Sequence, residues 1–461
     1  MQVPDLLINS LANVTGFDKE AFLAVHASGE QVVSIRINPA KISHDLINTV
    51  FAENIKSMVP WSTNGYYLQH RPSFTLDPLF HAGAYYVQEA SSMFLEEALK
   101  QTVDLSQPLK ILDLCAAPGG KSTLIQSIVS AESLLVSNEV IKTRVNVLAE
   151  NMIKWGSANV IVTNNDPKDF QRLPGYFDVV IIDAPCSGSG LFRKDPKAIG
   201  EWSEQNVALC SQRQQRILAD ALPSLKPGGV IIYCTCSYST EEDEEIADWL
   251  ISEYGLSSVK LQLPGKSGIV ETMSPLCNAY GYRFYPDKIK GEGFFLAVFK
   301  KEMDSLTTYQ SIRQKKQSAK QPANEAVVIK PWLQRAGNFF FIKQNEETIA
   351  IPLHLEKELG IIQSALYIKK AGVKLGAVIR NELIPDHELA LSTIVGDAIP
   401  VVEMEKEMAL QYLRRKDIHI DVSKKPGWAM ISYHQLPLGW IKILPNRINN
   451  YYPKDWRILN K

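Results

Sequence analysis

The stretch Leu109-Lys110-Ile111-Leu112-Asp113-Leu114-Cys115-Ala116-Ala117-Pro118-Gly119-Gly120-Lys121-Ser122 decides the fold. A short apolar run of strand length enters a small-residue turn, and the turn opens a helical pattern over about 120–130. In an open α/β sheet, ligands bind at the carboxyl ends of strands, and the first strand–loop–helix is the usual place. Glycine lets the backbone approach a ligand closely, and the N–H groups of a helix N-terminus favour a carboxylate. The loop is neither G-x-G-x-x-G nor G-x-x-x-x-G-K-[ST], which weighs against a nicotinamide or an ATP site.

Working outward, the same alternation continues. Strand-like runs recur at 133–139 (SLLVSNE), 159–166 (NVIVTNND), 177–185 (FDVVIIDAP) and 229–237 (GVIIYCTCS). Helical patterns lie between them at about 142–155 and 204–225, and another follows at 241–254. Strands alternating with helices imply parallel pairing by right-handed crossovers, hence a doubly wound sheet. The runs are apolar on both faces, as strands covered on both sides must be. YRFYP (282–286) and GFFLAVFKK (293–301) read as a hairpin closing the sheet edge in antiparallel fashion. Upstream, VVSIRIN (32–38) is a lone strand-like run. Downstream, NFFFIK (338–343), ALYIKK (365–370) and WAMISY (428–433) predict short strands in a mixed region.

The chain has 461 residues, 45% hydrophobic and 21% charged, enough for about three globular domains at ~150 residues each. No apolar run approaches the ~18–20 residues of a membrane helix, and the first residues carry no secretory pattern. Six cysteines without a C-x-x-C pair fit the free thiols of a cytosolic protein and give no zinc or other metal site. Net charge is −1, but residues 306–345 hold 7 Lys/Arg against 1 Asp/Glu, and residues 406–461 hold 11 against 4. Such unevenness fits a chain that meets a polyanion on one face. Trp332, Trp428, Trp440, Tyr451 and Tyr452 interleave with these basic segments and are candidates either for base stacking or for the cores of small β domains.

Acids recur at strand ends. Glu139 follows Asp113 by 26 residues and is placed to accept hydrogen bonds from ribose hydroxyls. Asp166 ends the third run, where a base edge would lie. Three acids after successive strands describe a nucleoside with a carboxylate-bearing tail, which fits S-adenosylmethionine. The fourth run ends in Asp183-Ala184-Pro185-Cys186-Ser187-Gly188-Ser189-Gly190 and the fifth in Cys234-Thr235-Cys236-Ser237. Cys186 and Cys236 are therefore expected side by side at the active edge, while Cys210, Cys234 and Cys277 read as core. Carbon 5 of cytosine is too poor a nucleophile to take a methyl group directly. A thiolate adding to carbon 6 makes carbon 5 nucleophilic, an acid near N3 stabilises the developing charge, and a second thiol can assist release. Either cysteine could attack on these grounds, and Asp183 is the candidate acid.

These residues carry a resemblance. CAAPGGKS (115–122), DAPCSGSG (183–190) and TCSYS (235–239), with SIRINP (34–39), AYYVQEASSM (84–93) and GEGFFLAVFKK (291–301), make the chain resemble the RNA (cytosine-5)-methyltransferases of the Sun group, and within it the bacterial RsmF type. Residues 438–457 resemble the end of the PUA-like region of that type. Trp155, before Gly156, departs from the family, which often carries an arginine there.

The resemblance implies a class I, Rossmann-like methyltransferase sheet with a small N-terminal α/β region and a C-terminal PUA-like mixed α/β RNA-binding region. It implies that Cys115, Ala116, Ala117, Pro118, Gly119, Gly120 and Lys121 cradle the methionine part of S-adenosylmethionine. Glu139 would bind the ribose, Asp166 the adenine side, Arg144 would belong to the same site, and Asp183 would sit between cofactor and base. It also implies Cys236 as nucleophile and Cys186 as the aid to release. The expected organisation is 1–80 for substrate RNA, 81–303 for catalysis, 304–326 as a basic linker and 327–461 for RNA. The expected protein is a cytoplasmic, monomeric enzyme that methylates carbon 5 of a cytosine in small-subunit (16S) rRNA, without metal or membrane. The same chemistry on tRNA, an amino-group methylation, and a non-catalytic ribosome-assembly factor are the alternatives.

Overall fold

The computed structural model describes residues 3–51, 53–265, 267–303, 323–418 and 426–459; most of the expected linker, 304–322, lies outside the described residues. Strands β1 (Ser34–Ile37), β2 (Ile55–Met58), β3 (Gly65–Leu68) and β4 (Tyr85–Val87) form an antiparallel sheet in the order β2-β3-β1-β4.

Five parallel strands then build the centre: β5 (Lys110–Asp113), β6 (Leu134–Asn138), β7 (Val160–Thr163), β8 (Phe177–Asp183) and β9 (Leu225–Thr235). Their alternation sends side chains to two cores. Leu112, Val136, Val180 and Ile182 enter one, and Ile111, Leu135, Val179 and Ile181 the other. Both faces must therefore be covered. Helices Gly120–Ile128, Lys142–Trp155, Glu204–Ala221 and Glu244–Tyr254 belong to this layer. Ser203 caps the 204–221 helix by accepting the Asn206 N–H at 3.1 Å. Gly156 ends the 142–155 helix at φ +91°, a left-handed turn that favours glycine.

Antiparallel strands β10 (Ser257–Ser258), β11 (Val270–Met273), β12 (Tyr280–Phe284) and β13 (Phe294–Lys300) extend the far edge, β13 pairing β9 and β12 pairing β13 as the hairpin reading expected. The order is β11-β12-β13-β9-β8-β5-β6-β7, so the winding reverses at β5 and opens a crevice at the carboxyl ends of β5 and β8.

The C-terminal part is woven into this sheet. Strands β14 (Phe339–Gln344) and β15 (Glu347–Pro352) lead through helix Glu356–Ala365 to β16 (Ile368–Ala371), which pairs antiparallel with β7. Strands β17 (Val373–Ile379) and β18 (Glu382–Pro385) complete a sheet with β14 and β15. Strands β19 (Val401–Glu403), β20 (Gly427–Tyr433), β21 (Leu436–Leu444) and β22 (Arg447–Asn450) form the last sheet. Phe340, Ile351, Leu359 and Ile362 share one apolar cluster with Phe170, Leu173 and Phe177 of the central layer.

The C-terminal end of the 142–155 helix fastens three regions together. Its last carbonyls have no partners within the helix. Lys41 Nζ donates to Lys154 O at 2.6 Å and to Ala82 O at 2.7 Å. Asn38 Nδ2 donates to Trp155 O and Gly83 O, each at 3.0 Å. From the other side, the Thr393 N–H donates to Gly156 O at 3.0 Å. Trp155, the departure from the family, is buried with the Arg36 guanidinium 4.6 Å above its ring. Gly83 approaches so closely that a Cβ would stand 1.8 Å from Lys154 O.

A chain ending at residue 303 would uncover the edge of β7 and the apolar surface that the 356–365 helix covers. We expect its thermal midpoint to fall by about 10 °C or more, a loss of several kcal/mol at roughly 2–4 °C each, in a calorimetric comparison with the full chain.

Candidate active site

A cavity of about 260 Å³ opens at the carboxyl ends of β5, β8 and β9. One wall is the loop expected to cradle a ligand: Cys115, Ala116, Ala117, Pro118, Gly120 and Lys121 line it. Asp183 and Cys236 line the opposite wall, and Tyr86, Glu89 and Phe294 close the space. Gly119 adopts φ +118°, where a side chain is strained, and a Cβ on Gly120 would stand 3.3 Å from the Tyr86 ring. Lys121 Nζ lies 2.7 Å from Asp183 Oδ2 and 5.2 Å from the Phe294 ring centroid. Burial opposes the Lys121 ammonium, yet the Asp183 carboxylate beside it holds the group above its ordinary value.

Asp113 differs from the row of acids expected to face the ligand. It is fully buried beneath the loop, where it accepts from Ser122 Oγ at 2.6 Å, and burial pushes its carboxyl up to about 7. Its Oδ1 has no hydrogen-bond partner among the described residues. Glu139 directly follows β6 and accepts the Ile141 N–H at 2.9 Å. Arg144 stands 3.6 Å from Glu139 and donates to Ala117 O at 2.7 Å, which ties the helix to the loop. Asp166 lies three residues beyond β7. It caps the 3₁₀ turn Pro167–Arg172 and faces Arg216 at 3.7 Å. Glu139, Arg144 and Asp166 are thus spread along the same carboxyl edge, outside the 260 Å³ cavity.

The two cysteines meet. Cys186 Sγ lies 3.0 Å from Cys236 Sγ, and both are half-buried free thiols. Hydrogen bonding to Cys236, with burial, pushes the Cys186 thiol well above its ordinary range. Cys186 therefore keeps its proton at neutral pH and can offer it to the Cys236 sulfur. Cys234 and Cys210 are core, as expected. Cys277 is not: it is half-buried at the turn between β11 and β12, its thiol 3.8 Å from Asp248 O.

The cysteine loops are held by a group that sequence reasoning missed. Glu242 is fully buried. Its carboxylate accepts the Ser187 N–H at 2.8 Å, Ser187 Oγ at 2.5 Å and Ser237 Oγ at 2.6 Å. Gln214 Nε2 adds a bond at 3.1 Å. Ser187 follows Cys186 and Ser237 follows Cys236, so one carboxylate sets both thiols. Gly190 completes the join: its N–H donates to Cys236 O at 2.9 Å, and a Cβ there would stand 2.6 Å from Gly293 O. Glu242 lies in the polar run TEEDEE (240–245), where nothing local marks it for burial, yet Asp243 and Glu244 are buried too, against Arg283. The hydroxyls one residue after each cysteine were the available signal.

The aromatics of the basic C-terminal segments divide. Trp440, Tyr452 and Trp428 are buried and belong to the core, Trp332 is half-buried, and Tyr451 is exposed. Trp440 Nε1 spends its polar atom on Asp386 O at 2.7 Å. Buried rings of this kind hold the small sheets together and leave no face for a base. Among the described residues no helix is long and apolar enough to cross a membrane, and no cluster of His, Cys, Asp and Glu is placed to hold a metal ion.

Glu242→Ala should lower kcat about 100-fold with the affinity for S-adenosylmethionine unchanged, because it strands buried donors beside both thiols at about 1–3 kcal/mol each. Glu242→Gln, which still accepts, should recover part of the loss in a methyl-transfer assay.

Comparison with known proteins places this geometry. The model for the N-terminal domain of 16S rRNA methyltransferase RsmF matches residues 3–90, that for 16S rRNA methyltransferase RsmB/F residues 100–300, and that for the methyltransferase RsmF PUA domain residues 399–458. The chain is 30% identical over 454 residues to ribosomal RNA small subunit methyltransferase F of Shewanella woodyi, and 31% identical over 442 residues to that of Aeromonas salmonicida, with 92% of this chain and 90% of the relative covered each time. A methyltransferase homolog protein from Pyrococcus horikoshii is similar in structure, with a TM-score of 0.53 and 27% identity over 65% of this chain and 100% of that one. NSun6 from Pyrococcus horikoshii, solved with SFG, shares the fold at a TM-score of 0.54 and 21% identity, over 65% of this chain and 99% of its own. From its N-terminal region to its PUA domain, the chain belongs to the RsmF family of 16S rRNA methyltransferases.

Proposed function

We propose that this protein transfers the methyl group of S-adenosylmethionine to carbon 5 of a cytosine in 16S rRNA, through a covalent adduct between Cys236 and carbon 6. The observation that carries the reading is the 3.0 Å approach of two free thiols beside the Lys121–Asp183 pair, at the rim of one cavity. Methylation of an amino group needs no thiol, and a binding factor needs neither thiol nor ion pair.

The residues fit S-adenosylmethionine. The glycine-bearing loop Cys115–Lys121 presents backbone to the cavity and suits the methionine portion, Glu139 the ribose hydroxyls and Asp166 the adenine side, while Arg144 holds the loop. When bound, the cofactor supplies a methyl group on a cationic sulfur. Cys236 as thiolate adds to carbon 6, and the ring electrons move toward N3 and carbon 5. Asp183 draws a proton from the paired Lys121 ammonium and delivers it to N3 as charge arrives there. Once carbon 5 holds the methyl group, its proton passes to solvent water, the carbon–sulfur bond breaks with its electron pair returning to Cys236, and the N3 proton returns to the Lys121–Asp183 pair. The protonated Cys186 donates a hydrogen bond to that departing sulfur. A base within a helix cannot reach this cavity, so the cytosine is single-stranded or flipped. The free thiols fit a reducing, cytoplasmic compartment.

The cysteines should fail at different steps. Cys236→Ala forms no covalent species and transfers no methyl group. Cys186→Ala adds and methylates but stalls, leaving a protein–RNA adduct that survives SDS and disappears on RNase treatment. An adduct in Cys236→Ala and none in Cys186→Ala would reverse the two roles.

Asp183→Asn should cost about 10²–10³-fold or more in kcat, since N3 loses the acid that delivers its proton, as measured by single-turnover transfer of a tritiated methyl group. Bisulfite sequencing of 16S rRNA and tRNA from a deletion strain identifies the RNA: a cytosine that loses protection in tRNA alone would contradict the rRNA reading.

A further inference from the structure

Strand β16 brings residues of the C-terminal region to the carboxyl edge of the catalytic sheet. Ile368 stands opposite Thr163, the last residue of β7, so Tyr367 lies just beyond that strand. Its backbone is fixed. Asn165 Nδ2 donates to Tyr367 O at 3.0 Å, the Tyr367 N–H donates to Asn165 Oδ1 at 2.9 Å, and the Asn164 N–H donates to Tyr367 O at 3.2 Å. Its ring is free at 65% exposure, more than any other tyrosine, phenylalanine or tryptophan among the described residues.

The register shifts between Ile368 and Lys370, and Tyr367 and Lys369 line one groove. Ile368 packs against the core, and Lys370 pairs with Glu388 at 2.6 Å. Facing Tyr367 and Lys369 across a groove of about 480 Å³ are Lys142, Val145 and Asn146 of the 142–155 helix. No carboxylate pairs with Lys142 or Lys369 among the described residues. An exposed ring on a fixed backbone, sharing one groove with two uncompensated cations, is an arrangement that can stack a base and neutralise its phosphates. The groove lies on the edge that carries the cysteines, about 19 Å from β8 at roughly 4.8 Å per strand.

We propose that this groove is a subsite for single-stranded RNA flanking the target cytosine, with one base stacked on Tyr367 and phosphates against Lys142 and Lys369. The proposal rests on the RNA methyltransferase reading above and adds a contact surface supplied jointly by the catalytic and C-terminal regions.

The test uses the full chain, a cytosine-containing single-stranded RNA 12-mer for binding, and unmodified 16S rRNA for methyl transfer. Tyr367→Ala should weaken binding of the 12-mer about tenfold or more, and Tyr367→Phe should bind like the parent. Lys142→Gln with Lys369→Gln should make the slope of log K against log salt shallower by about 1.4, at roughly 0.7 per phosphate contact. S-adenosylmethionine affinity and thermal midpoint should not move. Unchanged RNA affinity in Tyr367→Ala, or an unchanged salt slope in the lysine variant, overturns the subsite while parental methyl transfer leaves the enzyme reading intact. Loss of S-adenosylmethionine affinity without loss of RNA affinity would assign the groove to the cofactor and also overturns it. A parent that methylates no cytosine at carbon 5 defeats the reading itself.

Discussion

The Glu242 carboxylate is the constraint on which the arrangement of the site depends. Two loops leave adjacent parallel strands, β8 and β9, and nothing in strand pairing fixes how close their tips come. Glu242 fixes it by taking hydrogen bonds from Ser187 and Ser237, the residues after the two cysteines. A buried carboxylate is costly unless its lone pairs are filled. Here two hydroxyls, a backbone N–H and Gln214 fill them, so the group is stable only with both loops in place. The 3.0 Å sulfur contact follows from that closure.

Next to it, Asp243 and Glu244 are buried against one guanidinium, Arg283, on β12. Thr235 Oγ1, one residue before Cys236, donates to Asp243 at 2.6 Å. The end of β9 is therefore braced on both sides of Cys236, by Ser237 to Glu242 and by Thr235 to Asp243. A methyltransferase site gains from such bracing, because small displacements of reacting atoms cost large factors in rate.

A second fixed point is the C-terminal end of the 142–155 helix. Its carbonyls take donors from Asn38 and Lys41 on one side and from Thr393 on the other. The N-terminal sheet, whose Tyr86 roofs the cavity, and the C-terminal region, whose β16 extends the sheet, are both referenced to this helix. Arg36 adds to the join: its guanidinium donates to Gln88, Ser127, Thr123 and Gly120 O beneath the cofactor loop. Regions distant in sequence thus share one rigid frame with the chemistry.

The central strands, their order of helices and the pair Cys186 and Cys236 were readable from sequence, because local apolar runs and small-residue turns encode them without reference to distant residues. The loop 115–122 was readable for the same reason. The roles of polar residues whose partners are remote were not. Nothing local marked Glu242 for burial, and Asp113 stood in the row of acids expected at the ligand edge. Trp440 and Tyr452 were open to either a stacking or a core role, and β16 looked like part of a separate region. Burial is a property of what packs against a residue, and those partners lie tens to hundreds of positions away: Ser187 is 55 residues from Glu242, and Asn165 is 202 from Tyr367. By itself the sequence determined which chemical groups stand at the carboxyl edge of the sheet. Only the tertiary structure decided which of them touch, since long-range hydrogen bonds and shared burial set those distances.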